Sequence, residues 1–280
     1  MRLMSLSLLV LQGLSVVSLQ GEQPQSAETV MARVAQNQDR AQEMRSTVVY
    51  NQELLIRFKR GDGKICREEI RNFSVAPTAK GTQKTLTRFQ GKYLKNGKLV
   101  AYTEPGFQYK DLDLDGDLMS GFADGLANRE GSRDGIAADL FPLVSEEQRK
   151  YVFTLKGTEL FRNRNVYRIS FEPARKDFYD AAWSGDVLVD VYAYQPVLVT
   201  TRYAQRVPFW VKTLLGTNVK HVGFKVEYEK FDEDLWFPVS YGGEFKVTAV
   251  FFYKRTMALA LRNSGFQHAQ VTTSLAFEGE

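Results

Sequence analysis

Polar and apolar positions along this chain change period once, near residue 46. Ahead of that point, Val30, Met31, Val34 and Ala41 recur at helical spacing among Gln, Arg and Glu, and Ser26 stands where an N-cap belongs. One amphipathic helix is predicted there. Beyond it the period falls to two. In 47–60, Val48, Tyr50, Leu54, Ile56 and Phe58 share one face, with Asn51, Glu53, Arg57 and Lys59 on the other. Gly61-Asp62-Gly63 then turns the chain into a second run, Lys64–Val75. Asn96-Gly97 marks a tight type I′ hairpin between Thr85–Leu94 and Leu99–Tyr102.

Further alternating runs are Tyr151–Leu155, Val166–Phe171, Gly185–Tyr192, Val197–Tyr203, Val222–Tyr228, Trp236–Tyr241, Glu244–Tyr253, Met257–Leu261 and Val271–Phe277. Short polar connections between them suit an antiparallel meander. Two helical insertions interrupt it. Residues 112–150 carry Leu118–Phe122 and Ile136–Leu143, and 208–216 carry Pro208–Leu215, opened by a proline at a first-turn position. No fixed-period repeat and no Pro/Ser linker divides the chain, so 22–280 is read as one domain. A long sheet with one apolar face must cover that face or curl around it. The expected fold is mainly β (α+β): a strongly curved antiparallel sheet, or unclosed β-barrel, covered by a few helices. Such a fold leaves an apolar cavity between sheet and helices.

The first 21 residues read differently. Arg2 is followed by an apolar stretch, Leu3–Leu11, too short for a comfortable membrane span and without a positive stop-transfer cluster behind it. Residues 1–21 are therefore expected to be a signal peptide, and the mature chain to have no transmembrane span and to work outside the cytoplasm. An uncleaved N-terminal anchor is the alternative.

Composition then narrows the chemistry. There are 19 Phe, 13 Tyr and 3 Trp against one Cys and two His. A single Cys excludes a disulfide framework within the chain and any thiolate metal cluster, and Cys66 is expected to be a buried, inert thiol. His221 and His268 have no neighbouring Cys or paired carboxylates, so no metal site and no cofactor is expected. Asp111-Leu-Asp113-Leu-Asp115-Gly116-Asp117 resembles the start of a calcium loop, but its glycine and twelfth position are misplaced, and a solvated turn accounts for it. No zinc-protease, nucleophile-elbow, phosphate-loop or dinucleotide motif is present. Asp186 with Asp190, and Glu227 with Glu229, share strand faces, where solvent exposure is the simple explanation. The net charge of +4 comes from 37 basic and 33 acidic residues without a block of like charge, and no nucleic-acid motif accompanies it.

Trp183-Ser184-Gly185-Asp186-Val187-Leu188-Val189-Asp190 followed by Pro196-Val197 reads as a hairpin. With Phe171-Glu172-Pro173 upstream and Leu235-Trp236-Phe237-Pro238-Val239 downstream, it resembles the LolA-like superfamily over roughly residues 27–250. That grouping includes outer-membrane lipoprotein-sorting carriers, the receptor LolB and the sensor-type MucB/RseB domains. The resemblance implies an unclosed barrel with a helical lid, acyl chains received without covalent chemistry, and a place in the periplasm of a bacterial cell envelope.

The expected function is thus a non-enzymatic lipid or lipoprotein carrier holding acyl chains in an apolar cavity. Its partners would be a lipid or lipidated protein and a further cell-envelope protein, with no nucleic acid. Tyr50, Leu54, Ile56 and Phe58 on the strand face, with Trp210 and Leu214 on the lid helix, are the candidate cavity residues; the competing explanation is that they form the core. The rival functional reading is a structural or interaction protein of the envelope with a side-chain-filled interior. A hydrolase, requiring converging carboxylates, ranks below both.

Overall fold

A computed structural model describes residues 25–78, 81–127, 141–175, 183–203, 218–233, 235–249 and 253–269. The signal segment 1–21, most of Ile136–Leu143, the Pro208–Leu215 helix with Trp210 and Leu214, and the run Val271–Phe277 lie outside the described residues.

Helix α1 (Ala27–Arg45) begins where the N-cap predicts: the Ser26 hydroxyl accepts from the Thr29 N–H at 3.2 Å. Its buried stripe is Val30, Met31, Val34 and Ala41. At its C-terminal end the Ser46 and Thr47 hydroxyls donate to the Glu43 and Met44 carbonyls, occupying acceptors that the last turn leaves over. The chain then enters β1 (Val48–Lys59) directly.

Strands β2 (Ile65–Thr78), β3 (Gly81–Lys95) and β4 (Lys98–Tyr102) follow as a meander. After α2 (Leu114–Ala127) and α3 (Ser145–Gln148), a second meander runs through β5 (Tyr151–Phe161), β6 (Arg164–Pro173), β7 (Trp183–Asp190), β8 (Pro196–Tyr203), β9 (Asn218–Lys230), β10 (Trp236–Ala249) and β11 (Tyr253–His268). Together they form one antiparallel sheet in the order β4-β3-β2-β1-β11-β10-β9-β8-β7-β6-β5. The two meanders join where β1 pairs with β11, with Leu54 opposite Leu261, Ile56 opposite Leu259 and Phe58 opposite Met257. Among the described residues β4 and β5 do not pair, so the sheet stays open, as the hydrophobic pattern implies.

This order explains the long insertion. β4 and β5 are the two edge strands, so the chain between them must cross the sheet. Of that connection, the described residues 103–127 and 141–150 place α2 against β1 and β2 and α3 against α1 and β5. The inward side chains of β1, β2, β5–β11, α1 and α2 join in a single apolar core.

Several strand boundaries differ from the pattern, most clearly between Trp236 and Tyr253. The runs Trp236–Tyr241 and Glu244–Tyr253 are one strand up to Ala249, and Tyr253 opens β11. Gly242-Gly243 looks like a turn but is paired throughout. A Cβ on Gly243 would stand 2.4 Å from the Gly223 carbonyl oxygen, so the glycine is there for close approach of β9.

Candidate functional site

The inner face of the sheet centres on β1. Alternation sends Tyr50, Leu54, Ile56 and Phe58 to its inner face, where each is at most 3% exposed. Four of the six predicted cavity residues therefore form one strip at the centre of the sheet, where they are part of the packed core. Aromatic rings continue the lining on both sides. Tyr50 lies 5.7 Å from Phe237 and 5.6 Å from Phe266. Farther along the sheet, Trp183 meets Phe224 edge-on at 5.3 Å, and Phe224 stacks on Tyr241 at 5.2 Å. Phe141, from the crossing segment, reaches Tyr241 at 6.5 Å. Thus the cover touches the aromatic face directly.

Helix α1 is held over this face by polar bonds at its margins. Gln38 donates to the Gln195 side chain at 2.8 Å, and Arg45 donates to the Trp236 carbonyl at 3.1 Å. Asn37 donates to the Ala193 and Tyr194 carbonyls, and Asp39 accepts from the Ser145 backbone and hydroxyl. Gln148 donates in turn to the Met31 carbonyl.

Helix α2 is clasped by two aspartates of the calcium-like stretch. Asp113 accepts from Arg67 Nη1 at 2.5 Å, and its other oxygen accepts from the Gly116 N–H at the start of the helix. Asp115 accepts from the Tyr253 hydroxyl at 2.5 Å and from Arg255 Nε at 2.8 Å. Since Arg67 is on β2 and Arg255 on β11, the two clasps straddle β1. The stretch expected to be a solvated turn is instead the anchored start of a helix. No group of three metal-ligating side chains occurs among the described residues.

Arg67 belongs to a charged row that the apolar pattern did not mark. β2 turns Arg67, Glu69 and Arg71 inward, all buried. Arg71 donates through two nitrogens to Glu69 Oε2, at 2.8 and 2.6 Å. The Tyr102 hydroxyl donates to Glu69 Oε1 at 2.7 Å and accepts from Arg67 Nε at 3.1 Å. Arg67 also donates to the Phe107 carbonyl. Each buried charge thereby meets an opposite charge or a dipole, which its desolvation requires. Burial, reinforced by Glu69, pushes the Tyr102 hydroxyl far above the usual phenol range. The available signal was Arg-x-Glu-x-Arg at strand spacing, opposite charges two apart on one face.

Cys66 is buried beside this region, as expected, and donates to the Phe58 carbonyl. Burial, with a contribution from Asp115, pushes its thiol up to about 11. His268 lies at the surface, 3.2 Å from Asp232, and the side chain of His221 lies outside the described residues. Asp186 forms a surface pair with Arg202 at 3.3 Å. Asp190 is not solvent-exposed as expected; it is buried and accepts the Tyr192 and Ala193 N–H groups at 2.9 Å, closing the β7–β8 turn. On the outer face, a depression of about 500 Å³ is lined by polar groups including Asn51, Glu53, Glu227, Glu229 and Arg262. Glu227 is held below the usual carboxylate range by its hydrogen bonds to Lys225 and Arg162.

No protein-family model matches the chain, and no curated protein matches it in sequence. Among solved structures, the chain is similar to one described as an outer membrane lipoprotein-sorting protein domain from Vibrio parahaemolyticus: 11% identity, TM-score 0.41, covering 90% of this chain and 95% of that one. It is also similar to a LolA superfamily protein from Nitrosomonas europaea, at 9% identity and TM-score 0.34, covering 89% and 96%. A DUF1329 family protein from Desulfovibrio piger aligns at 11% identity and TM-score 0.35, covering 88% and 94%.

Proposed function

We propose that this chain is a non-enzymatic carrier of lipid or of lipidated protein, acting outside the cytoplasm in a bacterial cell envelope. In this reading acyl chains lie against Tyr50, Leu54, Ile56 and Phe58, beneath the crossing segment. The observation that supports it is the pairing of an aromatic-rich apolar face with a cover pinned by polar bonds at its ends.

Magnitudes favour such an exchange. Burying ten acyl methylenes gains roughly 8 kcal/mol gross. The inward apolar contacts of α2 include Met119 and Ala123, both fully buried; re-exposing a methionine costs about 1.5–3 kcal/mol, and parting Asp113 from Arg67 about 3–5 kcal/mol more, which together stay within the gross gain. An acyl chain can therefore displace this helix from the Phe58 end of β1 while the sheet stays intact. Release then needs a competing apolar site or the return of the helix. The apolar N-terminal stretch and the single buried thiol suit an exported protein, and among the described residues no helix is long and apolar enough to cross a membrane.

The test is extraction of natively purified protein followed by mass spectrometry, paired with uptake of a fluorescent fatty-acyl probe by delipidated protein. Co-purifying acyl lipid and stoichiometric uptake are expected. Folded protein that carries no lipid and takes up no probe would favour an envelope interaction protein with a side-chain-filled core.

A further inference from the structure

Residues 81–102 contain Lys84, Arg88, Lys92, Lys95 and Lys98 and no acidic residue. These five charges exceed the chain's net of +4, so everything else sums to −1. Along the sequence they recur every three or four residues and form no block. The fold gathers them on one hairpin, β3–β4, at one edge of the open sheet.

At its tip, Asn96 and Gly97 take positive φ values of 50° and 78°, and Lys95 pairs directly with Lys98. Like charges directly opposite each other weaken a sheet, so the hairpin gains no stability from this pair. Arg88, Lys92, Lys95 and Lys98 are exposed and have no ion pair among the described residues. The opposite edge strand, β5, carries one lysine and one glutamate and has no such excess.

Apolar groups stand among these cations. Leu99 is 46% exposed and Val100 39%. Val100 lies opposite Tyr93, on whose ring the exposed Tyr109 stacks at 5.2 Å, and Lys110 sits over Tyr109. A ladder of cations alone would suit nucleic acid. Cations interleaved with exposed Leu, Val and Tyr suit a lipid interface, where charge meets headgroups and apolar side chains enter the acyl boundary.

We infer that the β3–β4 hairpin, with the adjoining Tyr109 loop, is a docking surface for an anionic lipid bilayer. This deepens the carrier reading, on which it rests for its purpose: Tyr109 is four residues from Asp113, so docking brings the α2 clasp to the membrane, where cargo would be exchanged.

Purified protein is sedimented with phosphatidylcholine vesicles with and without about one-third phosphatidylglycerol, at low and high salt. Binding is expected only to the anionic vesicles and is expected to fall with salt. Near an anionic surface each cation contributes about fivefold in affinity, so Lys92→Gln, Lys95→Gln and Lys98→Gln together should weaken binding about 100-fold. Thermal melting should not fall in that variant, since the Lys95–Lys98 repulsion is removed, and fatty-acyl probe uptake in solution should be unchanged. A control removes the same charge elsewhere, through Arg149→Gln, Lys156→Gln and Lys230→Gln, and should bind nearly as the parent does. The inference is overturned by equal binding to neutral vesicles, by equal losses in the two triple variants, or by duplex DNA displacing the protein from anionic vesicles. Failure of probe uptake with hairpin-dependent vesicle binding would sink the carrier reading alone.

Discussion

Arg67 has 0% exposure on an inner face that it shares with Glu69 and Arg71, and its worth depends on what surrounds it. Removing its counter-charge with Asp113→Asn leaves a buried guanidinium short of a partner, and urea unfolding should register a loss of about 3–5 kcal/mol. Replacing both together, Arg67→Met with Asp113→Leu, should recover most of that loss, because neither charge then remains to be desolvated. Cys66 makes a second prediction, with a sign. An ordinary thiol ionises near 9.0, whereas this one is pushed up to about 11. The unfolded chain thus releases its proton first, and the stabilisation present below pH 9 is lost between pH 9 and 11. Cys66→Ala should flatten that part of the stability–pH curve, by roughly 1 kcal/mol per pH unit. Single residues of this kind were only half legible. Burial of Cys66 follows from its type, but Arg67 and Asp113 are 46 residues apart, and strand spacing does not identify a partner at that distance.

The elements were far more legible, because a period of two or 3.6 is imposed locally by backbone geometry. The Ser26 cap, the Asn96-Gly97 turn and the inner face of β1 all stand where the pattern puts them. Glycines were the exception. In a strand pattern glycine can mean a turn or a close approach, and only the neighbouring strand decides which. Gly185 is of the second kind: a Cβ there would lie 2.0 Å from the Thr200 carbonyl oxygen and 2.8 Å from the Phe171 ring. Gly185→Ala should cost about 1–3 kcal/mol by chemical unfolding, through displacement of β8 or Phe171. Gly61→Ala, with nothing within 4 Å of its Cβ, should stay within about 0.5 kcal/mol.

For the whole molecule, the decisive fact is that the chain between the two edge strands brings α2 and Phe141 onto the apolar face, and so helps to cover it. Loosening that cover should change the rate of cargo entry more than the final occupancy. Asp115→Ala, which removes the bonds to Tyr253 and Arg255, should accelerate acyl-probe uptake several-fold in stopped-flow measurements, with little change in the amount bound. From the sequence alone came the antiparallel elements, the apolar face of β1 with Tyr50, Leu54, Ile56 and Phe58, and an open sheet with only a few helices to cover it. These follow from alternation and composition, which act between near neighbours. The order of the strands, the Arg67 and Arg255 clasps and the edge position of the cationic hairpin were decided only by tertiary structure. Each depends on which distant segments pair, and pairing is settled by burial summed over the whole sheet, which no local period contains.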